Sequence, residues 1–158
     1  MTEARLILLG EDNPYGSEPE FALYCYPVGC SGYRLRRILG LPQHQYLALS
    51  RANLCDSGSW SMKAARSRAR DLLSPHVGWD VIVLLGRKVA DAFDYTQPFF
   101  THVSVPRTGG QTCLVSLPHP SGRNASAWSG KAAARAREIL GALVPEIPWG
   151  SAVVEEAA

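Results

Sequence analysis

Trp79-Asp80-Val81-Ile82-Val83-Leu84-Leu85-Gly86-Arg87-Lys88-Val89-Ala90-Asp91-Ala92-Phe93 decides the fold. Within the strand read at Trp79 to Leu85, the run from Val81 to Leu85 is apolar without alternation, the pattern of a strand covered on both faces. Gly86 ends it, and 88–93 follows as a short helix. Strand, glycine, helix is the unit of a parallel sheet, and it recurs outward in both directions. Upstream, Arg5 to Leu9 is a second buried strand ending in Gly10. A helix from Tyr33 to Leu39 opens after Gly29-Cys30-Ser31-Gly32 and closes at Gly40 and Pro42. Gln45 to Leu49 is the next strand candidate, and Ser59 or Ser61 caps a helix running to about Leu73. Downstream, Phe99 to Val105 reads as an edge or connecting strand. Arg107-Thr108-Gly109-Gly110 turns into a strand at Cys113 to Leu117, and a last helix spans Ser126 to Leu143. The expected fold is α/β: a three-layer α/β/α sandwich around a mostly parallel sheet of about four strands. One domain is expected over residues 1–145, with a loose tail at 146–158 rich in Pro, Gly and acids.

Composition agrees with a globular chain. Of 158 residues, 46% are apolar, enough for a substantial core. The net charge of +2 advertises no general affinity for polyanions. The cations are clustered, however: Arg34, Arg36 and Arg37, then Lys63, Arg66, Arg68 and Arg70, then Lys131, Arg135 and Arg137 fall in three predicted helices. A local basic face is therefore expected, although such a face is most often just solvated surface. The four cysteines form no C-x-x-C pair and have no zinc-like spacing, so no metal site and no disulfide framework are expected. No signal peptide or membrane-spanning run is present, which predicts a cytoplasmic protein without a membrane partner. Neither G-x-G-x-x-G nor G-x-x-x-x-G-K occurs, which weighs against a nucleotide- or sugar-phosphate-binding α/β enzyme.

Chemistry gathers in three polar turns, at 10–16, 50–56 and 118–124. Each follows a predicted strand, so in a parallel sheet they converge on one edge, where such folds bind ligands. In the last, Pro118 and Pro120 flank His119; each fixes its own φ and restricts the residue before it. Ser121, Gly122, Arg123 and Asn124 then offer a hydroxyl, a bendable backbone, a cation and an amide, groups suited to a phosphate backbone or a base. The first turn, Gly10-Glu11-Asp12-Asn13-Pro14-Tyr15-Gly16, brings two carboxylates and an amide. An ordinary βα turn would favour the same residues on conformational grounds alone. Phe21, Tyr24 and Tyr26 are either core or a stacking surface for a flat ligand.

These turns resemble the uracil-DNA glycosylase superfamily over nearly the whole chain, from Arg5 to about Leu143. L-L-G-E-D-N-P-Y-G resembles the first catalytic motif, which reads like G-Q-D-P-Y-H or G-x-N-P-G in its branches. H-P-S-G-R-N resembles the second, H-P-S-P or N-P-S-G elsewhere. P-V-G-C-S-G-Y-R-L-R-R-I-L and V-I-V-L-L-G-R-K-V-A-D-A-F resemble the helix entry and the strand–Gly–helix segment between them. The resemblance implies a monofunctional, monomeric DNA glycosylase without a cofactor, which flips a pyrimidine out of DNA and hydrolyses its N-glycosidic bond, as in base-excision DNA repair. It implies that His119 donates to the departing base at O2, and that Asn13 or Asp12 holds the attacking water. It further implies that Asn53 of R-A-N-L faces the base edge, that Tyr24 or Tyr26 stacks on the ring, and that Tyr15 walls off its 5-position. Arg123 would meet phosphate or fill the hole left by the flipped base. The family's iron–sulfur branches carry an N-terminal cysteine pair; this chain has none, so no cluster is expected.

Three departures leave the substrate open. The first motif matches no single branch, because an extra residue leaves Asp12 and Asn13 adjacent. Arg51 and Cys55 are not expected around a standard uracil pocket. Uracil is one candidate. A 5-modified pyrimidine, such as phage hydroxymethylated or glucosylated cytosine removed in anti-phage defence, is another, with Glu11 and Asp12 bonding the sugar. A catalytically inactive relative that binds DNA or a nucleotide is the third.

Overall fold

The computed structural model describes residues 3–12, 18–56 and 59–152. The strands are β1 (Leu6–Asp12), β2 (Ser50–Cys55), β3 (Val81–Leu85), β4 (Thr101–Arg107) and β5 (Gly110–Leu117). The helices are α1 (Ser31–Leu39), α2 (Gln43–Leu47), α3 (Met62–Leu72), α4 (Arg87–Ala92) and α5 (Ala132–Leu143), with 3-10 turns at Pro19–Phe21 and Gly122–Trp128. One five-stranded sheet has the order β2-β1-β3-β5-β4. Every neighbouring pair is parallel except β4–β5, an antiparallel hairpin that closes one edge.

β3 and the buried stretches of β1 and β5 are covered on both faces, whereas the edge strand β4 is largely exposed. Leu6, Leu8, Val81, Val83, Leu85 and Val115 point to one side, where Leu35, Leu39, Tyr46 and Leu140 of α1, α2 and α5 close over them. Ile7, Leu9, Ile82, Leu84 and Leu114 point to the other, against Ala65 and Ala69 of α3 and Val89 and Ala90 of α4. The period-two alternation of a strand thus divides one apolar run between two cores, giving the expected three-layer α/β/α sandwich.

Several boundaries differ from the sequence reading. The strand expected at 45–49 is helix α2, and the turn expected at 50–55 is strand β2. Tertiary pairing explains the exchange: β2 aligns with β1 at Leu9↔Ala52 and Gly10↔Asn53, and this outweighs the weak strand propensity of Ala and Asn. Helix α2 instead turns Tyr46 fully inward, where its hydroxyl donates to the Leu23 carbonyl at 2.6 Å. β1 runs past Gly10 to Asp12, which aligns with Cys55, so Glu11 and Asp12 belong to a strand end and not to a turn. The long last helix begins only at Ala132, after a 3-10 turn and Gly130 at φ 63°. The segment expected to be loose from residue 146 is docked as far as Ala152. There the Gly150 and Ala152 amides donate to the Leu39 and Gly40 carbonyls at 3.0 and 2.8 Å, and the Trp149 indole donates to the Val144 carbonyl at 2.9 Å.

Candidate active site

Because β1, β2, β3 and β5 are parallel, their C-terminal ends share one edge, and a cavity of about 370 Å³ opens there. β1 supplies Glu11 and Asp12, β2 supplies Asn53, and the loop after β5 supplies His119. The 21–24 segment adds Phe21, Leu23 and Tyr24, and the entry of α1 adds Gly29, Cys30, Ser31 and Gly32.

Two glycines make this convergence possible. Gly10 aligns with Asn53, and a Cβ on Gly10 would lie 2.5 Å from Asn53 Oδ1. The bare backbone is what lets the buried amide lie over β1. Gly86, at φ 98°, ends β3 between β1 and β5; a Cβ there would lie 3.1 Å from His119 Cβ and 3.4 Å from Glu11 Oε2. A third glycine, Gly32, lets α1 pack on the backbone carbonyls of Leu23 and Tyr24.

His119 is held through its main chain as well as by its prolines. Its carbonyl accepts from Asn124 Nδ2 at 3.2 Å and from Trp128 Nε1 at 3.3 Å. Burial pushes its imidazole below the ordinary value of 6.5; Glu11 and Asp12 pull the other way, and Lys88 adds slightly to the depression. Desolvation wins, so His119 is a neutral imidazole at neutral pH, with one ring N–H to donate. Lys88 Nζ lies 4.0 Å from Glu11 Oε1, which keeps Glu11 partly compensated.

The sequence-predicted residues divide. His119, Asp12, Asn53 and Tyr24 meet in the cavity. Asn13 and Tyr15 fall outside the described residues. Tyr26 is 43% exposed, does not line the cavity and donates from its hydroxyl to Gln43 Oε1 at 2.7 Å. Asn124 turns its amide onto His119, so it braces the loop. Ser121 lines a neighbouring cavity, Gly122 packs under Arg34, and Arg123 is exposed.

Arg51 and Cys55, the two departures from a uracil pocket, do not line the cavity. Arg51 donates to the Ala22 carbonyl at 2.8 Å and stacks over Tyr46 with its guanidinium carbon 5.5 Å from the ring centre, tying the 21–24 segment to β2. Cys55 faces Ser61, whose amide approaches its sulfur at 3.4 Å. Phe21, which the sequence offered either as core or as a stacking surface, lines the cavity and meets Tyr24 edge-to-face at 5.6 Å. The α1 entry was not assigned to the base site from the sequence.

No protein-family model matches the chain, and no curated protein matches it. Among the described residues no helix is long and apolar enough to cross a membrane.

Proposed function

We propose that this protein is a monofunctional DNA glycosylase, acting as a cytoplasmic monomer, that takes a flipped pyrimidine into the cavity and hydrolyses its N-glycosidic bond. The observation that carries the reading is one cavity holding a neutral His119, the Asp12 carboxylate and the buried Asn53 amide. As the bond from C1′ to the base breaks, its electron pair leaves with the base and charge builds chiefly on O2. A preorganised neutral N–H from His119 stabilises that charge, and removing one such donor typically costs about 2.7–4 kcal/mol of barrier. The sugar meanwhile becomes positive, and the Asp12 carboxylate opposes that charge. Water, oriented by Asp12 or Asn13, then adds at C1′, and its proton passes to the Asp12 carboxylate or to the departing base anion, which leaves as the neutral pyrimidine. Asn53 both donates and accepts, which suits the polar edge of a pyrimidine. The Phe21–Tyr24 pair gives the ring an apolar wall.

A specific observation also favours a 5-substituted base. Glu11 lines the same cavity as a second carboxylate, and it can accept hydrogen bonds from a hydroxymethyl or sugar hydroxyl. Matched oligonucleotides carrying uracil, 5-hydroxymethyluracil, hydroxymethylcytosine and glucosylated cytosine test both versions. Abasic-site formation on uracil alone assigns the tight pocket, and formation on the substituted bases assigns the open one. Binding without cleavage of any of them leaves an inactive DNA-binding relative.

A further inference from the structure

A second cavity, of about 440 Å³, opens beside the first and shares Gly29 with it. The two are also linked through the backbone, since His119 lines the first and Pro120 and Ser121 line the second. Their chemistry is opposite. The first carries Glu11 and Asp12. The second carries Arg34 and Arg37, and no acidic side chain lines it among the described residues. Its remaining walls are largely apolar or aromatic, with Val28, Tyr33 and Trp128 prominent.

The two guanidinium groups are placed by the fold. Arg34 Nε donates to the Gly29 carbonyl at 3.1 Å, which brings that side chain to the rim between the cavities. Its far end lies over Gly122, where a Cβ would come within 3.1 Å of it. Arg37, one helical turn on, lies with its guanidinium carbon 5.7 Å from the centre of the Tyr33 ring. Gly29 itself is a low rim, because a Cβ there would meet nothing within 4 Å. Val28 beside it is 72% exposed, an apolar side chain left on the surface at the mouth of the second cavity.

We propose that the second cavity holds the nucleotide next to the excised one, with its base against Val28, Tyr33 and Trp128 and its phosphate on Arg34 and Arg37. The inference rests on the glycosylase reading and narrows the substrate to an unpaired strand. A strand that delivers one base past Glu11 and Asp12 cannot lay its phosphate on those carboxylates. The arginines on the other side of the Gly29 rim are the complementary surface. A base enters such a cavity only when it is unstacked from its neighbours, and that costs least in single-stranded DNA. Aromatic walls with a cationic track are the general solution for holding single strands.

The test is equilibrium binding of single-stranded heptanucleotides whose central nucleotide carries the best-cleaved base on a 2′-fluoro sugar, which resists hydrolysis. The base is removed in turn from the centre, from its 5′ neighbour and from its 3′ neighbour. Removing one neighbour's base, on one side only, is expected to weaken binding by about tenfold, from the loss of one base–aromatic stack. Pairing the strand with its complement is expected to weaken binding as well. Arg37→Gln is expected to reduce the salt dependence by about 0.7 in the log–log slope, one phosphate contact on a single strand. If the central base matters and neither neighbour's base does, the second-cavity proposal is overturned and the glycosylase reading stands. If removing the central base changes nothing, or no heptanucleotide binds, the glycosylase reading falls and the proposal falls with it. The neighbour deletions are made in the DNA, so the result does not depend on a variant folding.

Discussion

Gly10→Ala tests how the base-reading amide is held. The new Cβ would stand 2.5 Å from Asn53 Oδ1 and 3.2 Å from Leu23 Cδ2. Ordinary contact begins near 3.4 Å, so the amide oxygen has to retreat by roughly 0.9 Å, while Leu23 gives a few tenths. The strands cannot open to make room, since Gly10 and Asn53 are aligned partners in the parallel ladder. Asn53 is only 7% exposed, so its amide has little space to turn into. Overpacking of this kind costs about 1–3 kcal/mol of stability. In a domain of this size each kcal/mol lowers the melting temperature by about 2–4 °C. The effect on chemistry should be larger, because a displacement near 1 Å at a positioned group can cost about 100-fold. Single-turnover base release and thermal melting, measured together, separate the two effects. Gly109→Ala is the control: it strains a turn at φ 84°, meets nothing within 4 Å and lies in the β4–β5 hairpin away from the cavity. It should lose stability and keep its turnover. Turnover of Gly10→Ala within threefold of the parent would refute the claim that this glycine positions Asn53.

Three further outcomes follow from individual contacts. Burial holds His119 below its ordinary 6.5, so the unfolded chain takes up this proton first as pH falls. Stability should therefore decline below pH 6.5 and level off below the folded pKa; His119→Gln should flatten that part of the curve, and an unchanged pH dependence would count against the buried neutral imidazole. Arg51→Ala removes the donor to the Ala22 carbonyl and should cost about 1.5–3 kcal/mol in urea unfolding; an unaltered midpoint would show that this arginine does not hold the 21–24 segment. If Asn13 holds the water, Asn13→Ala should slow turnover with little change in DNA affinity and Asp12→Ala should do less; the reverse ranking assigns the water to Asp12.

The sheet was legible where residue chemistry and tertiary context agree. Val81 to Leu85 has no polar residue to place, so a strand covered on both faces is the only economical reading. The exchange of strand and helix across residues 43–55 was not legible, because Gln-His-Gln-Tyr-Leu and Ser-Arg-Ala-Asn-Leu-Cys lack a decisive period. What decides them lies elsewhere in the chain: the β1 ladder for Asn53, and the Leu23 carbonyl for the Tyr46 hydroxyl. The cavity was legible as three converging segments, because parallel strand ends share an edge whatever their exact boundaries. The roles of Asn124 and Tyr26 were not, because an amide or a phenol in a polar stretch reads as a ligand-binding group until its intramolecular partner is known. Arg51 stood out in the sequence only as a departure from a uracil pocket, and its bond to the Ala22 carbonyl was not legible there.

The central claim is that His119 assists departure of a flipped base. Its most direct test is single-turnover release of the free base from an oligonucleotide, followed by mass spectrometry, for the parent and His119→Ala side by side. The expected result is a free pyrimidine and an intact abasic strand from the parent, with release slowed by about 100-fold or more in the variant while its melting curve stays cooperative. Release slowed by less than tenfold in a folded variant would remove His119 from the chemistry, and no base released by the parent from any strand in the panel would contradict the glycosylase reading itself.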